Sequence, residues 1–587
     1  MGIPHLTNTL QNCGYHHVLQ DQTVVIDGPA LAFHILHICR VNGAFQPSNR
    51  LIAQSTLKWL DELVHQGVTI EAIYFDGHLP PSKRTVRMER LMKNTAQLSR
   101  LFSGHPEGCP RKHVACDDRR QLADYFSNDA PDFKPALDPG FFVPAIVDSL
   151  RQSSRYKNLT SVVPDEADAY CAAHVASRGG LILTSDSDLL VYELKGANVA
   201  FFRDLSRDSD SNITCSLLSP THICEKLGLP ASEGLLRLAY EQKRAPHATL
   251  PELVNACSRA IANEYDYRNF SEQYHLLPEH SLPHPLDDGS STALDPRISE
   301  FVVQLGSRPS TKRNINDDAL IMYLPILMEN PQRGSAWEQT MPLRQLAYSL
   351  LFSTVPELVT SVSEHRRIQD VSQRGRRVET ISLSEAGEFI DEIMDIMDCM
   401  KEIACSHEVS HWHLICMAVE ANDCRKRDKQ SLTWQVFQQQ HQPGIIDGSR
   451  ISWDTVHFSA HLQAALYSFR LLFQLLSFVL KGSNGSNLPP IAEHLWSELL
   501  LLPPLSRFPD ISDAMRFLLL PEKDALIQDL SKTLYFAMTT TPDPEGWKGT
   551  KKRAAGRIKN TAPTASAKKS STSMKNNMFG LLSNYSD

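Results

Sequence analysis

Five short runs within the first 205 residues are apolar along their whole length rather than at alternate positions: TVVIDG (23–28), EAIYFDG (71–77), TSVVP (160–164), GLILTS (180–185) and NVAFF (198–202). Such runs are expected where a strand is covered on both faces. Between them, apolar positions recur at helical spacing near 50–66, 81–102, 138–152 and 166–178. This alternation predicts an α/β fold with a mostly parallel sheet flanked by helices. The polar, Pro-rich stretch 103–137 is expected to be an insertion or loop over the sheet edge. HLLPEHSLPHPLDDGSSTALDP, around 275–298, carries the strongest linker signal. Beyond it, patterns such as EAGEFIDEIMDIMDCMKEIAC and HLQAALYSFRLLFQLLSFVL predict long amphipathic helices with few β signals. The expected organisation is an α/β domain over 1–240, a helical connection and linker over 241–297, a large all-α region over 298–545 and a disordered basic tail over 546–587.

Composition changes this picture little. At 587 residues, 42% hydrophobic and 21% charged, the chain reads as globular and long enough for more than one core. The N-terminus lacks the apolar segment of a secretory signal, and Leu6 stands where a myristoylation site needs Ser or Thr. The most apolar stretch, 471–480, is short and preceded by Arg470, so no membrane partner is expected. Twelve scattered cysteines fit free thiols in a reducing compartment. Net charge is −8, yet 548–575 holds nine Lys or Arg and no acid, leaving the body more acidic than the average implies. KGTKKRAAGRIK within that stretch is a cluster of the kind used for nuclear import or nucleic-acid contact.

The chemistry lies at the strand ends. VVID ends in Asp27, IYFD in Asp76, SVVPDEAD runs into Glu166 and Asp168, and LILTSDSD delivers Asp186 and Asp188. In a parallel sheet the carboxyl ends share one edge, so six carboxylates would crowd together. Each piece alone has a bland reading, because Asp closes turns and acids favour helix starts. Four strand ends carrying acids together call for charge compensation. Two Mg²⁺ or Mn²⁺ ions, which prefer oxygen ligands, would supply it and suit phosphodiester hydrolysis. After FDG, Lys83, Arg87 and Arg90 fall at i, i+4 and i+7, one helical face able to bind phosphate.

MGIPHL, VVIDGPALAFHIL, YFDGHLPPSKRTVRMER, VVPDEADAYCAAHVA and LTSDSDLLVY, in this order, resemble the flap endonuclease superfamily of structure-specific nucleases, whose core is a PIN-like domain. Within it, the helical second half and the closing NNMFGLLSNYSD look most like the Asteroid group. The resemblance implies that Asp27, Asp76, Glu166 and Asp168 serve one metal and that Asp168, Asp186 and Asp188 serve a second. It also implies that Gly2 lies beside the active site and that Lys83 and Arg90 steer the scissile phosphate. Two departures stand out. Gln242 occupies the position of the superfamily's seventh acid, with Glu241 one step away, and no Gly-rich duplex-gripping motif follows.

Two Cys/His groupings, Cys405/His407/His411/His413/Cys416 and His105/Cys109/His113/Cys116, lack the paired spacing of structural zinc and read as helix core or loop. MFGLL (578–582) and the helical region are candidate protein-docking elements. The expectation is a nuclear, divalent-metal-dependent endonuclease acting on single-stranded or branched DNA in genome maintenance. The alternatives are a nuclease fold kept as a scaffold, or an RNA-directed PIN-like protein.

Overall fold

The structure is a computed structural model describing residues 3, 5–114, 122–127, 129–283, 294–306, 320–353, 360–367, 375–438, 448–481 and 488–539. The described residues up to Met538 form one compact unit. The tail 546–587, with its basic cluster and MFGLL, lies outside the described residues.

The main sheet uses β1 (Tyr15–Val18), β2 (Thr23–Asp27), β3 (Thr69–Asp76), β4 (Thr160–Val163), β5 (Leu181–Thr184), β6 (Asn198–Phe201) and β7 (Ile213–Leu218), in the order β1-β7-β6-β5-β2-β3-β4. The five strands β6, β5, β2, β3 and β4 pair in parallel. β7 and β1 extend the sheet antiparallel, and Ser206–Arg207 pairs on β7. The predicted strands are present within a residue or two, but β1 and β7 were not anticipated. Tyr15–Val18 reads YHHV and is half exposed, so its pattern carries no strand signal.

Both sheet faces are covered, which explains the unbroken apolar runs. On one face Val24, Ile26, Ile73 and Phe75 pack against α1 (Gly28–Val41), α2 (Asn49–His65) and, beyond α3 (Arg84–Gly104), α4 (Phe142–Gln152). On the other, Val25, Ala72, Tyr74 and Ile182 pack against α5 (Ala167–Arg178) and α6 (Gly234–Arg244). α1 was not expected.

Three expectations need correction. First, the domain boundary at 275–298 does not separate bodies: Phe141 and Ala145 at the start of α4 belong to the core of the helical region. Second, the region after 298 is not all-α. Leu320–Tyr323, Ser361–His365 and Arg376–Glu379 form a three-stranded sheet. Its pattern is hidden because a central inward position holds Glu364, fully buried and met by Arg344 and Tyr348 from a helix spanning Met341–Phe352. Third, 103–137 is not simply a loop. Cys109–Pro110 pairs with Arg450–Ile451, Trp453 Nε1 donates to the His105 carbonyl, and Leu122 and Phe126 are core.

The 29-residue helix Trp453–Lys481 is long and apolar enough to cross a membrane by composition, yet 78% of its most apolar window is buried within the molecule. It is the central strut of the helical core, and Arg470 on it reaches Asp148 of α4.

Candidate active site at the sheet edge

Parallel pairing of β4, β3, β2 and β5 puts Asp27, Asp76, Glu166, Asp168, Asp186 and Asp188 along one edge. The bland readings are also true. Asp27 caps α1, accepting from the Ala30 N–H at 3.2 Å, and Asp186 accepts from the Asp188 N–H at 3.1 Å in an Asx turn. Capping fixes these carboxyl groups without neutralising them. The glycines after Asp27 and Asp76 serve close packing. A Cβ at Gly28 would lie 2.6 Å from the Tyr74 carbonyl oxygen, and one at Gly77 2.1 Å from that of Val163.

Thr184, fully buried at the end of β5, ties two acids together. Its hydroxyl donates to Asp27 Oδ2 at 2.6 Å and accepts from the Asp186 N–H at 2.9 Å. Asp76 accepts from the Ala167 N–H at 2.8 Å. Asp188 accepts from the Ile3 N–H at 2.7 Å and from the Tyr274 hydroxyl at 3.3 Å. Asp168 has no hydrogen-bond donor on its carboxylate among the described residues.

The acids share one electrostatic field. Burial, with Asp186 adding to it, pushes Asp27 up to about 6. Burial and the charges of Asp27 and Glu166 push Asp76 up to about 7, and burial with Asp186 pushes Asp188 up to about 6. Asp168 is raised well above the ordinary carboxylate range, by burial and then by Asp27, Asp186 and Asp76. Lys83 is the cation inside this group. Burial lowers its pKa, but hydrogen bonding to Glu166 and the charges of Glu166, Asp168 and Asp76 outweigh that and raise it.

The donor set is all oxygen, as a hard divalent cation prefers. Among the described residues, however, no group of three or more His, Cys, Asp or Glu side chains is arranged to hold a metal ion. Backbone N–H groups, Thr184, Tyr274 and Lys83 take up their oxygens instead. The donor chemistry and the uncompensated charge fit such an ion, and the ligand geometry is not drawn together.

The basic face does not act as a unit. Arg87 turns away from the acids to donate to Glu300 at 2.6 Å, with its guanidinium 4.0 Å above the Tyr323 ring. It joins α3 to the helical region. Arg90 is exposed, and Gly2 lies outside the described residues. Glu241 is buried between Arg237 and Arg244, and Gln242 accepts from the Thr9 hydroxyl, so neither substitutes for a seventh acid. The Cys/His groupings are dispersed: His407 meets Asp529, His413 packs on Phe517, Cys109 is in a strand, and Cys116 lies outside the described residues. Thr184 was visible within LTSDSD but not singled out. Tyr274 gave no signal, because its partner lies 86 residues away.

A parallel sheet with acids at the ends of four strands is what the resemblance to the flap endonuclease superfamily implies. Residues 138–380 match the family model described as XPG domain containing, across the supposed linker. The chain is 23% identical over 397 residues to Asteroid homolog 1 of Schizosaccharomyces pombe; the match covers 63% of this chain and 64% of the relative, so the chain spans less than two thirds of that protein. Among solved structures, the catalytic core of Rad2 in complex with DNA substrate matches 52% of this chain and 94% of that one, at 12% identity and a TM-score of 0.25. Residues 138–380 thus match an XPG-type domain, and the chain as a whole is similar to an Asteroid protein.

Proposed function

We propose that this protein is a divalent-metal-dependent endonuclease hydrolysing phosphodiester bonds in single-stranded or branched DNA, acting in the nucleus in genome maintenance. The observation that carries this reading is Asp168, ringed by Asp27, Asp76 and Asp186 with Lys83 as the nearby cation. A fold gains nothing from stranding carboxylates together unless a cation joins them in the working state. Asp27, Asp76, Glu166 and Asp168 would hold one Mg²⁺ or Mn²⁺, and Asp168, Asp186 and Asp188 a second. Such ions supply activated water and stabilise the leaving oxygen. Thr184 keeps Asp27 and Asp186 in register across β2 and β5. Lys83, released from Glu166, binds a phosphate oxygen, while exposed Arg90 draws in the backbone.

A second reading, a nuclease fold serving as an interaction scaffold, draws on Gln242 in place of an acid and on the undrawn ligand geometry. Purified protein incubated with labelled single-stranded, 3′-overhang, 5′-flap and RNA substrates, with Mg²⁺, Mn²⁺ or chelator, separates the readings. Cleavage lost in chelator and in Asp186→Ala and Asp188→Ala supports the nuclease. A folded protein that cuts nothing supports the scaffold, and preference for RNA redirects the substrate class.

A further inference from the structure

Asp188 is hydrogen-bonded on both oxygens from segments distant in sequence. The Ile3 N–H fixes Oδ1 at 2.7 Å, and the Tyr274 hydroxyl meets Oδ2 at 3.3 Å. The Tyr274 ring is itself held. It stands edge-on to Tyr192, with centroids 5.4 Å apart, and packs on Phe270 at 5.1 Å. Tyr192 donates to the Gln273 carbonyl at 3.5 Å, which ties the short helix Glu272–Tyr274 to the turn that follows Asp188. The phenol therefore has few alternative orientations.

We infer that Tyr274 is a positioning residue for Asp188, so that the metal site is completed by the segment after the α/β domain rather than contained in residues 1–240. This rests on the metal-dependent reading above. A carboxylate that accepts one bond from a fixed phenol keeps its second lone pair aimed at a common point. Partners of this kind, hydrogen-bonded to a ligand rather than to the metal, set its orientation and basicity. The ring contacts give the arrangement its economy: Tyr274→Phe deletes the hydroxyl and leaves the edge-on contact with Tyr192 and the tilted one with Phe270.

The test is Mn²⁺ binding to the full-length protein, by calorimetry or by the loss of free-ion paramagnetic signal, for wild type, Tyr274→Phe, Asp188→Asn and the double variant, each with its melting temperature. The expected result is roughly tenfold weaker binding in Tyr274→Phe, with the melting temperature unchanged, and no further weakening when the substitution is added to Asp188→Asn. Wild-type affinity in Tyr274→Phe, beside an Asp188→Asn that binds weakly, would overturn the role of Tyr274 alone. An equal extra loss in the Asp188→Asn background would also overturn it, since Tyr274 would then act elsewhere. A wild type that takes up no Mn²⁺ would overturn this inference together with the metal reading.

Discussion

Arg470→Met tests whether the α/β and helical regions fold as one body. Arg470 projects from Trp453–Lys481 and grips Asp148 of α4 with two bonds of 2.9 and 2.7 Å, while its Nε stands 3.4 Å from Asp295. The side chains are 10%, 12% and 0% exposed, so water does not replace a missing partner. Methionine keeps much of the apolar stem but strands two carboxylates. Asp295 retains the Tyr467 hydroxyl and the Arg297 N–H, and Asp148 only a long contact from the Leu505 N–H. Removing one partner from a buried ion pair costs about 3–5 kcal/mol. Unfolding entropy of about 2.1 cal/mol/K per residue, over the 538-residue unit, is about 1.1 kcal/mol/K, so the melting temperature should fall by about 3–4 °C. Calorimetry should show one transition moving as a whole. Adding Asp148→Asn and Asp295→Asn should restore part of the loss by removing the stranded charge. An unchanged melting temperature, or two transitions of which one moves, would refute the reasoning.

Other outcomes follow from the same contacts. The carboxyl groups of Asp27, Asp76 and Asp188 are raised to about 6, 7 and 6, above the ordinary value of 3.8, so the folded state binds more protons than the unfolded state between these values. Metal-free protein should therefore gain stability as pH falls from above 7 toward 5, and Mg²⁺ at pH 7.5 should substitute for that gain; a melting temperature flat across this window would count against the crowding. Arg87→Ala should cost about 1–3 kcal/mol by removing the bonds to Glu300 and the stacking on Tyr323. Arg90→Ala should change stability by less than about 0.5 kcal/mol while weakening DNA binding measured by anisotropy; equal effects of the two on stability would refute the distinction. Thr184→Val should destabilise by about 1–3 kcal/mol and weaken Mn²⁺ binding roughly tenfold, because Asp27 and the Asp186 N–H lose their shared partner.

The α/β half was legible because a strand buried on both faces writes itself as an unbroken apolar run, and because parallel topology alone decides that Asp27, Asp76, Asp168 and Asp186 share an edge. Spacing could not show where side chains turn. Arg87 sits in register with Lys83 and Arg90, yet Glu300, 213 residues on, captures it. Glu364 made a buried strand look polar because its neutralising partner, Arg344, comes from another element. The supposed linker misled for a similar reason. Its composition is loop-like, but the chain on either side packs into cores shared across it, with Phe270 and Leu282 joining one and Leu294 the other.

The most direct measurement is the rate of cleavage of a labelled 5′-flap and a single-stranded DNA by wild type and Asp168→Asn, each with Mn²⁺ and with chelator, on protein of confirmed fold. Wild-type cleavage that needs the ion and falls at least about a hundredfold on losing this one charge is the predicted result. Cleavage undiminished in Asp168→Asn, or a folded wild type that neither binds Mn²⁺ nor cuts, would contradict the account.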